Sequence, residues 1–190
     1  MTTCTKAIQE WEQKTGQTAA EATEVKLIAF NPPINKMDQG LNQLVNCTKL
    51  SLSSNNIEKI MNLGNLRNLQ ILSLGRNNIK KISGLDDVGG TLTELWISYN
   101  YIEKLDGLQS CVQLTTLFIS NNKIKSWEEI SRLNQLPELK NVLFTSNPIY
   151  EGYSREDVRP LVIKRCPQIE NLDGSIVTDE IRQRAEELKD

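Results

Sequence analysis

Apolar and polar residues alternate in the same short pattern five times between residues 47 and 147. In each copy, two apolar residues at positions i and i+2 precede an asparagine, as Leu50 and Leu52 precede Asn55. Side chains two residues apart lie on one face of a strand, so each copy predicts a strand of about three to five residues. The asparagines are spaced by 22, 23, 22 and 25 residues, at Asn55, Asn77, Asn100, Asn122 and Asn147.

A second apolar pair, such as Ile57 and Ile60, follows each asparagine and is expected to face the same core. An asparagine at such a turn can hydrogen-bond backbone groups and form a ladder in a stacked array. One unit cannot bury its apolar side alone, and a period of about 20 to 29 residues is typical of leucine-rich repeats. We therefore predict an α/β leucine-rich repeat solenoid with a parallel β-sheet on the concave face, short helices or turns on the convex face, and helical caps at both ends.

The predicted organisation has four segments. These are a helical cap at 1–23, six repeats at 24–148, a repeat cap at 149–174 and a C-terminal helix at 175–190. In the first segment, the spacing of Ile8 and Trp11 predicts a helix over 5–14 that ends before Gly16. Residues 18–21 have the form of a capping box that opens a second turn of helix. The first repeat is degenerate, with Leu27 and Ala29 expected at the strand positions and Pro32 in place of the asparagine.

After residue 148 the repeat pattern breaks. Residues 150–153 are predicted to form an exposed loop, followed by a helix with Asp157 as N-cap that ends before Pro167. Residues 178–189 predict a final helix whose few apolar residues leave much of its surface to water or a partner.

The composition of the chain argues against several classes of function. The 190 residues include no histidine, which is the commonest general base and metal ligand. Carboxylates stand singly at variable positions of the repeats, and no glycine loop suited to phosphate is present. We therefore expect that the protein is not an enzyme and has no cofactor or metal site. The net charge of −2 does not favour nucleic acid or a membrane surface as partner. No apolar run approaches the length of a membrane span or signal peptide, so a soluble intracellular protein is expected. Four distant cysteines lack metal-ligand spacing, and Cys47, Cys111 and Cys166 occupy apolar repeat positions.

The candidate binding site lies in the positions between the buried leucines, which face outward from the concave sheet. The position between the paired leucines reads Ile28, Ser51, Ser73, Trp96, Phe118 and Leu143. Trp96, Phe118 and Leu143 should therefore stand side by side in solvent on neighbouring strands, an arrangement typical of a protein interface. The other predicted contact residues surround them on the same face, at Arg76, Tyr99, Lys49, Glu94 and Asn121. Two alternatives are scattered exposed apolar residues without function, and a terminal helix of the same chain that covers the patch.

The final helix offers a possible second contact through Arg182 and Arg184. Acidic residues interrupt its positive charges, so a solvated helix surface is the competing interpretation.

Several segments go beyond the general repeat pattern. They are PPINKMD at 32–38, LSLSSNNIEKI at 50–60, ILSLGRNNIKKI at 71–82, LTELWISYNYIEKL at 92–105 and the closing PQIENLDG. Over nearly the whole chain they resemble the leucine-rich light chains of axonemal outer-arm dynein, within a wider repeat subclass that includes phosphatase regulatory subunits and a spliceosomal protein. The likeness is weakest after residue 148.

The resemblance implies a non-catalytic subunit of the ciliary motor, located in the cytoplasm and cytoskeleton at the axoneme of a cilium or flagellum. It implies binding of a dynein heavy chain, at the microtubule-binding domain on the stalk tip, through the concave face, and modulation of how the motor engages the microtubule. Direct contact with tubulin stays open, and the chain is expected to be monomeric alone. The alternative is a phosphatase-regulatory or other leucine-rich protein-binding scaffold.

Overall fold

The computed structural model describes residues 1–189 and contains ten short strands. They are β1 (Thr2–Thr3), β2 (Glu24–Lys26), β3 (Ile34–Lys36), β4 (Lys49–Ser51), β5 (Ile71–Ser73), β6 (Glu94–Trp96), β7 (Thr116–Phe118), β8 (Asn141–Leu143), β9 (Asn171–Leu172) and β10 (Ser175–Ile176). One sheet contains eight of them in the order β10-β9-β8-β7-β6-β5-β4-β2, and all its pairs are parallel except β10 with β9. Strands β1 and β3 form a separate parallel pair.

The described part of the chain has four α-helices, which lie outside the main sheet. They are α1 (Cys4–Thr15), α2 (Trp127–Arg132), α3 (Arg155–Arg165) and α4 (Asp179–Glu187). Short 3-10 helices occupy Gln39–Gln43, Asp86–Val88, Leu133–Gln135 and Pro148–Tyr150. All helices in residues 1–189 are too short or too polar to traverse a bilayer.

The strand register aligns the repeats residue by residue. Leu50 pairs with Leu72, Leu72 with Leu95 and Leu95 with Leu117, and each of these side chains is almost fully buried. The convex column of Leu44, Leu66 and Leu136 is buried as well, and Cys111 and Cys166 lie in it as free thiols. A single core therefore runs the length of the stack, and the predicted solenoid fold is confirmed.

The asparagines form the predicted ladder. The Asn77 Nδ2 donates to the Leu74 carbonyl of its own repeat and to the Leu52 carbonyl of the repeat before, each at 3.0 Å. Its Oδ1 accepts from the Ile57 backbone N–H at 2.9 Å. The same three bonds recur at Asn55, Asn100, Asn122 and Asn147. Each side chain thus joins two repeats while satisfying buried backbone groups that water cannot reach.

At the N-terminus, α1 closes the first end of the core. The Thr3 side chain accepts from the Lys6 N–H as N-cap, and Ile8 and Trp11 are buried on its inner face. The helix ends before Gly16, as predicted, and the φ of 69° at this residue gives a left-handed cap. The predicted second turn is present as a single hydrogen-bonded turn at residues 19–21, in which the Ala22 N–H donates to the Thr18 carbonyl at 3.0 Å. The Ala19 N–H donates to Glu12 Oε1 of α1.

The register of the first repeat differs from the prediction by two residues. Val25 pairs with Leu50, so Val25 and Leu27, rather than Leu27 and Ala29, are the buried strand pair. Lys26 therefore stands in the column of Ser51, and Ile28 lies outside it. The cause is a connection two residues longer between Leu27 and Ile34 than between Leu52 and Ile57, which the periodic pattern concealed.

Two predictions in the C-terminal part are also wrong. The N-cap of α3 is Ser154, whose hydroxyl accepts from the Asp157 N–H, so Pro160 lies inside the helix, where it is buried. Tyr150 is not exposed, because its hydroxyl donates to Asp173 Oδ2 at 2.7 Å and its ring packs against the core.

The final helix α4 packs against α3 and has Thr178 as its N-cap. Of the predicted segment 175–190, the last residue, Asp190, lies outside the described residues.

Candidate functional site

An aromatic and aliphatic ridge crosses three neighbouring strands on the outer face of the sheet. The register places Trp96 of β6 beside Phe118 of β7, and Phe118 beside Leu143 of β8. The indole and phenyl rings stack with their centroids 5.7 Å apart and their planes at 29°. The three side chains therefore form one continuous apolar surface, which we call the concave patch.

The concave patch remains open in the described part of the chain. Trp96 keeps 41% of its surface exposed, and Phe118 and Leu143 are half-buried. The alternative that a terminal helix covers the patch is wrong for residues 1–189, because α1 packs near Gln39–Gln43 and α4 packs against α3. A large apolar surface left open in this way is typical of a protein-binding site.

Tyr99 and Arg76 border the concave patch as a pair. Both follow a strand in the left-handed backbone region, with φ of 60° and 55°. This shared conformation places the Arg76 guanidinium over the Tyr99 ring, 4.2 Å from its centroid, and both side chains are exposed. The cation–π contact holds two long side chains in place at the rim, so less conformational freedom is lost when a partner binds.

The remaining predicted residues differ in how they relate to the patch. Glu94 Oε2 accepts from the Trp96 indole Nε1 at 3.0 Å, which orients the ring. Asn121 is half-buried next to Tyr99 in the register, and its Nδ2 donates to Ser120 Oγ. Lys49 is exposed but lies two strands from Glu94. Ile71 lies half-buried between them on the same face and is not among the predicted contact residues.

The predicted second contact is largely engaged within the chain. The Arg182 guanidinium donates to the carbonyls of Pro167 and Ile169, at 2.8 and 3.0 Å, and thereby ties α4 to the cap. Arg184 forms an ion pair with Asp157 at 3.3 Å. The repeat pattern could not reveal these partners, because α3 and α4 meet only in the tertiary structure.

In residues 1–189, no group of His, Cys, Asp and Glu side chains is arranged to hold a metal ion. Burial raises the pKa of the Cys4 and Cys166 thiols to about 12 and that of Cys47 to about 11, while burial and the neighbouring Asp173 raise the pKa of Tyr150.

Comparison with known proteins agrees with this fold. The family model for leucine-rich repeats (two copies) matches residues 91–132. A chain in the crystal structure of the Drosophila melanogaster SNF/U2A' complex superposes with a TM-score of 0.61 at 22% identity, covering 72% of this chain and 78% of that one. The leucine-rich repeat domain of APL1B superposes with a TM-score of 0.57 at 21% identity, covering 77% and 43%. These likenesses define the fold alone.

The chain is therefore a capped leucine-rich repeat protein with an exposed aromatic patch on its sheet. It is 52% identical over 187 residues to the dynein axonemal light chain 1 of Xenopus laevis, covering 98% of this chain and 96% of the relative. It is 52% identical to the protein of that name from Homo sapiens, covering 93% of each, and 46% identical to that from Chlamydomonas reinhardtii, covering 97% and 95%. The chain belongs to the axonemal dynein light chain 1 family.

Proposed function

We propose that this protein is a non-catalytic light chain of axonemal outer-arm dynein, located at the axoneme of a cilium or flagellum. The concave patch binds the microtubule-binding domain at the tip of the heavy-chain stalk and modulates how the motor engages the microtubule. Membership of the family supports the motor assignment, because the relatives are named for axonemal dynein. The open stack of Trp96 on Phe118 is the observation that supports the choice of surface.

The chemistry of the patch favours a protein partner with an apolar surface. Trp, Tyr and Arg are the residue types most often found at the energetic centre of interfaces. Here Trp96 lies at the centre of the face, and the paired Arg76 and Tyr99 lie at its border. Glu94, Lys49 and Asn121 supply polar groups around it, where hydrogen bonds at a wet rim fix orientation.

The α4 arginines contribute less to the proposed interface. Arg182 is engaged with two carbonyls of its own chain and is a structural residue of the cap. Arg184 is partly exposed and ion-paired at the surface, and exposed ion pairs of this kind are worth little. Any contact of α4 with the motor or with tubulin is therefore secondary to the concave patch.

Affinity purification from ciliated cells tests the proposal. The wild-type chain should copurify an axonemal dynein heavy chain, and the double variant Trp96→Ser, Phe118→Ser should lose it. The matched control is Val45→Ser, Val112→Ser, which removes two exposed apolar side chains from convex positions. Heavy-chain recovery that is equal for all three proteins would contradict the proposed surface. Recovery of a phosphatase in place of dynein would favour the alternative scaffold function.

A further inference from the structure

A shallow groove of about 720 Å³ lies on the flank of the solenoid, where the chain turns away from the sheet. Its walls come mainly from the residues that follow the ladder asparagines in three consecutive repeats. Five exposed lysines line it: Lys80, Lys81, Lys104, Lys123 and Lys125. We call this surface the lysine groove, and none of its residues belongs to the concave patch.

The lysine groove is positively charged in a protein whose net charge is −2. Within residues 1–189, only Glu103 and Asp106 oppose the five lysines along its walls. Among residues 1–189, none of these five ammonium groups takes part in an ion pair. The positive charge is therefore left available, and neighbouring like charges of this kind raise the local concentration of acidic partners.

The fold does not require lysine at these positions. The lysine side chains are exposed rather than packed, and most equivalent positions of the other repeats are not lysine: they contain Asn56, Glu58, Lys59, Ser126, Tyr150 and Glu151. Solenoids place residues of successive repeats side by side, so lysines that are about 20 residues apart in sequence converge on one surface. The clustering of lysines therefore does not result from packing of the core, because these exposed positions accept other side chains.

We propose that the lysine groove binds an extended acidic segment of a partner polypeptide. Lysine is a flexible point charge, which suits carboxylates on a chain without one fixed geometry. Among the residues that the structure describes, no arginine lines the groove for bidentate contacts. Alternate side chains of an extended segment are about 6.6 Å apart, so acidic residues on one face can reach lysines of neighbouring repeats. The exposed Tyr101 ring and Pro148 provide apolar contact for the carbon atoms of the segment.

A polypeptide fits this groove better than a nucleic acid. Glu103 stands among the lysines, and its carboxylate can accept a hydrogen bond from a peptide N–H. A phosphodiester group has no such donor, so Glu103 would only repel the backbone of a nucleic acid. Proteins that bind single-stranded nucleic acids combine a basic groove with several stacking aromatic rings. In the described chain, Tyr101 is the one aromatic residue in the lining.

Fluorescence anisotropy with a labelled peptide of alternating glutamate and glycine tests the inference. The peptide should bind the full chain at low ionic strength and weaken as salt screens the lysines. The variant Lys104→Glu, Lys125→Glu should weaken binding roughly tenfold, because each reversal replaces an attraction by a repulsion. The control Lys6→Glu, Lys36→Glu makes the same change of net charge at exposed positions elsewhere and should alter binding less than about twofold.

Two further comparisons distinguish the possible outcomes. The milder variant Lys104→Gln, Lys125→Gln should show an intermediate loss, with unchanged circular dichroism showing that the fold is intact. The concave variant Trp96→Ser, Phe118→Ser should bind the acidic peptide normally, so this inference stands or fails independently of the proposed motor function. Equal loss in the control variant, equal binding of a glutamine–glycine peptide, tighter binding of an oligonucleotide, or no binding at low salt would each overturn it.

Discussion

The indole of Trp96 stacks on the phenyl ring of Phe118 across two parallel strands, on a sheet face that remains open to solvent. The register of β6 against β7 places the two residues directly opposite one another. Glu94 Oε2 accepts a hydrogen bond from Trp96 Nε1 at 3.0 Å, so the indole ring is already oriented in the unbound protein. A rigid aromatic surface loses little conformational freedom on binding, which is how a small patch can dominate an interface.

This relationship predicts that stability and binding respond differently to change at Trp96. Trp96→Ser should lower the free energy of unfolding by only about 1 kcal/mol, the size of one partly exposed aromatic contact. The same variant should weaken binding of the heavy-chain domain by at least about 2 kcal/mol, or roughly 30-fold, as expected for the centre of an interface. Urea denaturation and calorimetric titration measure the two quantities.

Trp96→Phe serves as the conservative comparison and should retain most of the affinity, because a ring still stacks on Phe118. If Trp96→Ser bound as well as Val112→Ser, the concave patch would have no part in the interface.

The asparagine ladder predicts large losses from a small change. Asn100→Ala removes the bonds to the Leu74 and Ile97 carbonyls and leaves the buried Ile79 N–H without its acceptor. An unsatisfied buried backbone group costs about 1 to 3 kcal/mol, so the free energy of unfolding should fall by roughly 2 to 4 kcal/mol in urea titrations. The exposed Asn134→Ala is the matched control and should change stability by less than about 0.5 kcal/mol.

Two glycines with left-handed backbones predict different costs for the same substitution. Gly107 has φ of 99°, and a Cβ there would collide with the Ile82 carbonyl oxygen of the preceding repeat. Gly152 has φ of 82° and open space around it. Gly152→Ala should therefore cost about 1 to 2 kcal/mol from backbone strain alone, and Gly107→Ala roughly 3 kcal/mol or more. Equal thermal midpoints for the two variants would show that the repeats can separate locally without penalty.

The buried thiols predict a loss of stability at alkaline pH. Burial raises the pKa of Cys166 to about 12 and that of Cys47 to about 11, whereas an unfolded thiol titrates near its ordinary value of about 8.5. Below that pH the thiols are protonated in both the folded and the unfolded chain, so the stability that their burial contributes is fully present. Above it the unfolded chain releases protons that the folded chain retains, so stability falls as pH rises toward 11–12.

Urea titrations between about pH 8 and pH 10 measure this slope, which approaches about 1.4 kcal/mol per pH unit for each thiol. Cys166→Ala should reduce the dependence of the unfolding free energy on pH by the contribution of one thiol. This reduction is expected whatever the effect of the substitution on stability at neutral pH. A slope identical to that of the wild-type chain would contradict the assignment to Cys166.

Much of the fold was predictable because contacts in a solenoid connect equivalent positions of neighbouring repeats. Knowing that Leu50 and Leu72 are equivalent is nearly enough to know that they pair in register, and the ladder role of Asn55 and Asn77 follows in the same way. The first repeat was placed wrongly because its connection after Leu27 is two residues longer, so spacing from Ile34 misled the alignment. At α3, Ser154 and Asp157 are both good caps, and only the path of the chain selected Ser154.

The sequence predicted which residues of the candidate site share a row on the sheet, but it did not predict the contacts between their side chains. Periodicity placed Trp96, Phe118 and Leu143 on one outward row, which the register reproduces. It did not show that Arg76 lies over Tyr99 or that Glu94 holds the indole, since both contacts depend on rotamers and on backbone turns after the strands. It also missed the lysine groove, whose members are separated along the chain and occupy positions that the repeat pattern leaves free.

The amino-acid sequence by itself determined the repeat, the parallel arrangement of its strands, the buried leucine columns and the row of outward aromatic residues. These follow from hydrophobic periodicity, which acts through neighbours and needs no knowledge of distant contacts. Only the tertiary structure decided that Arg182 binds carbonyls of the cap, that α4 lies on α3 and leaves Trp96 uncovered, and that five lysines from three repeats share one groove. Those outcomes depend on which surfaces meet after the chain has folded, because end caps and exposed side chains do not repeat.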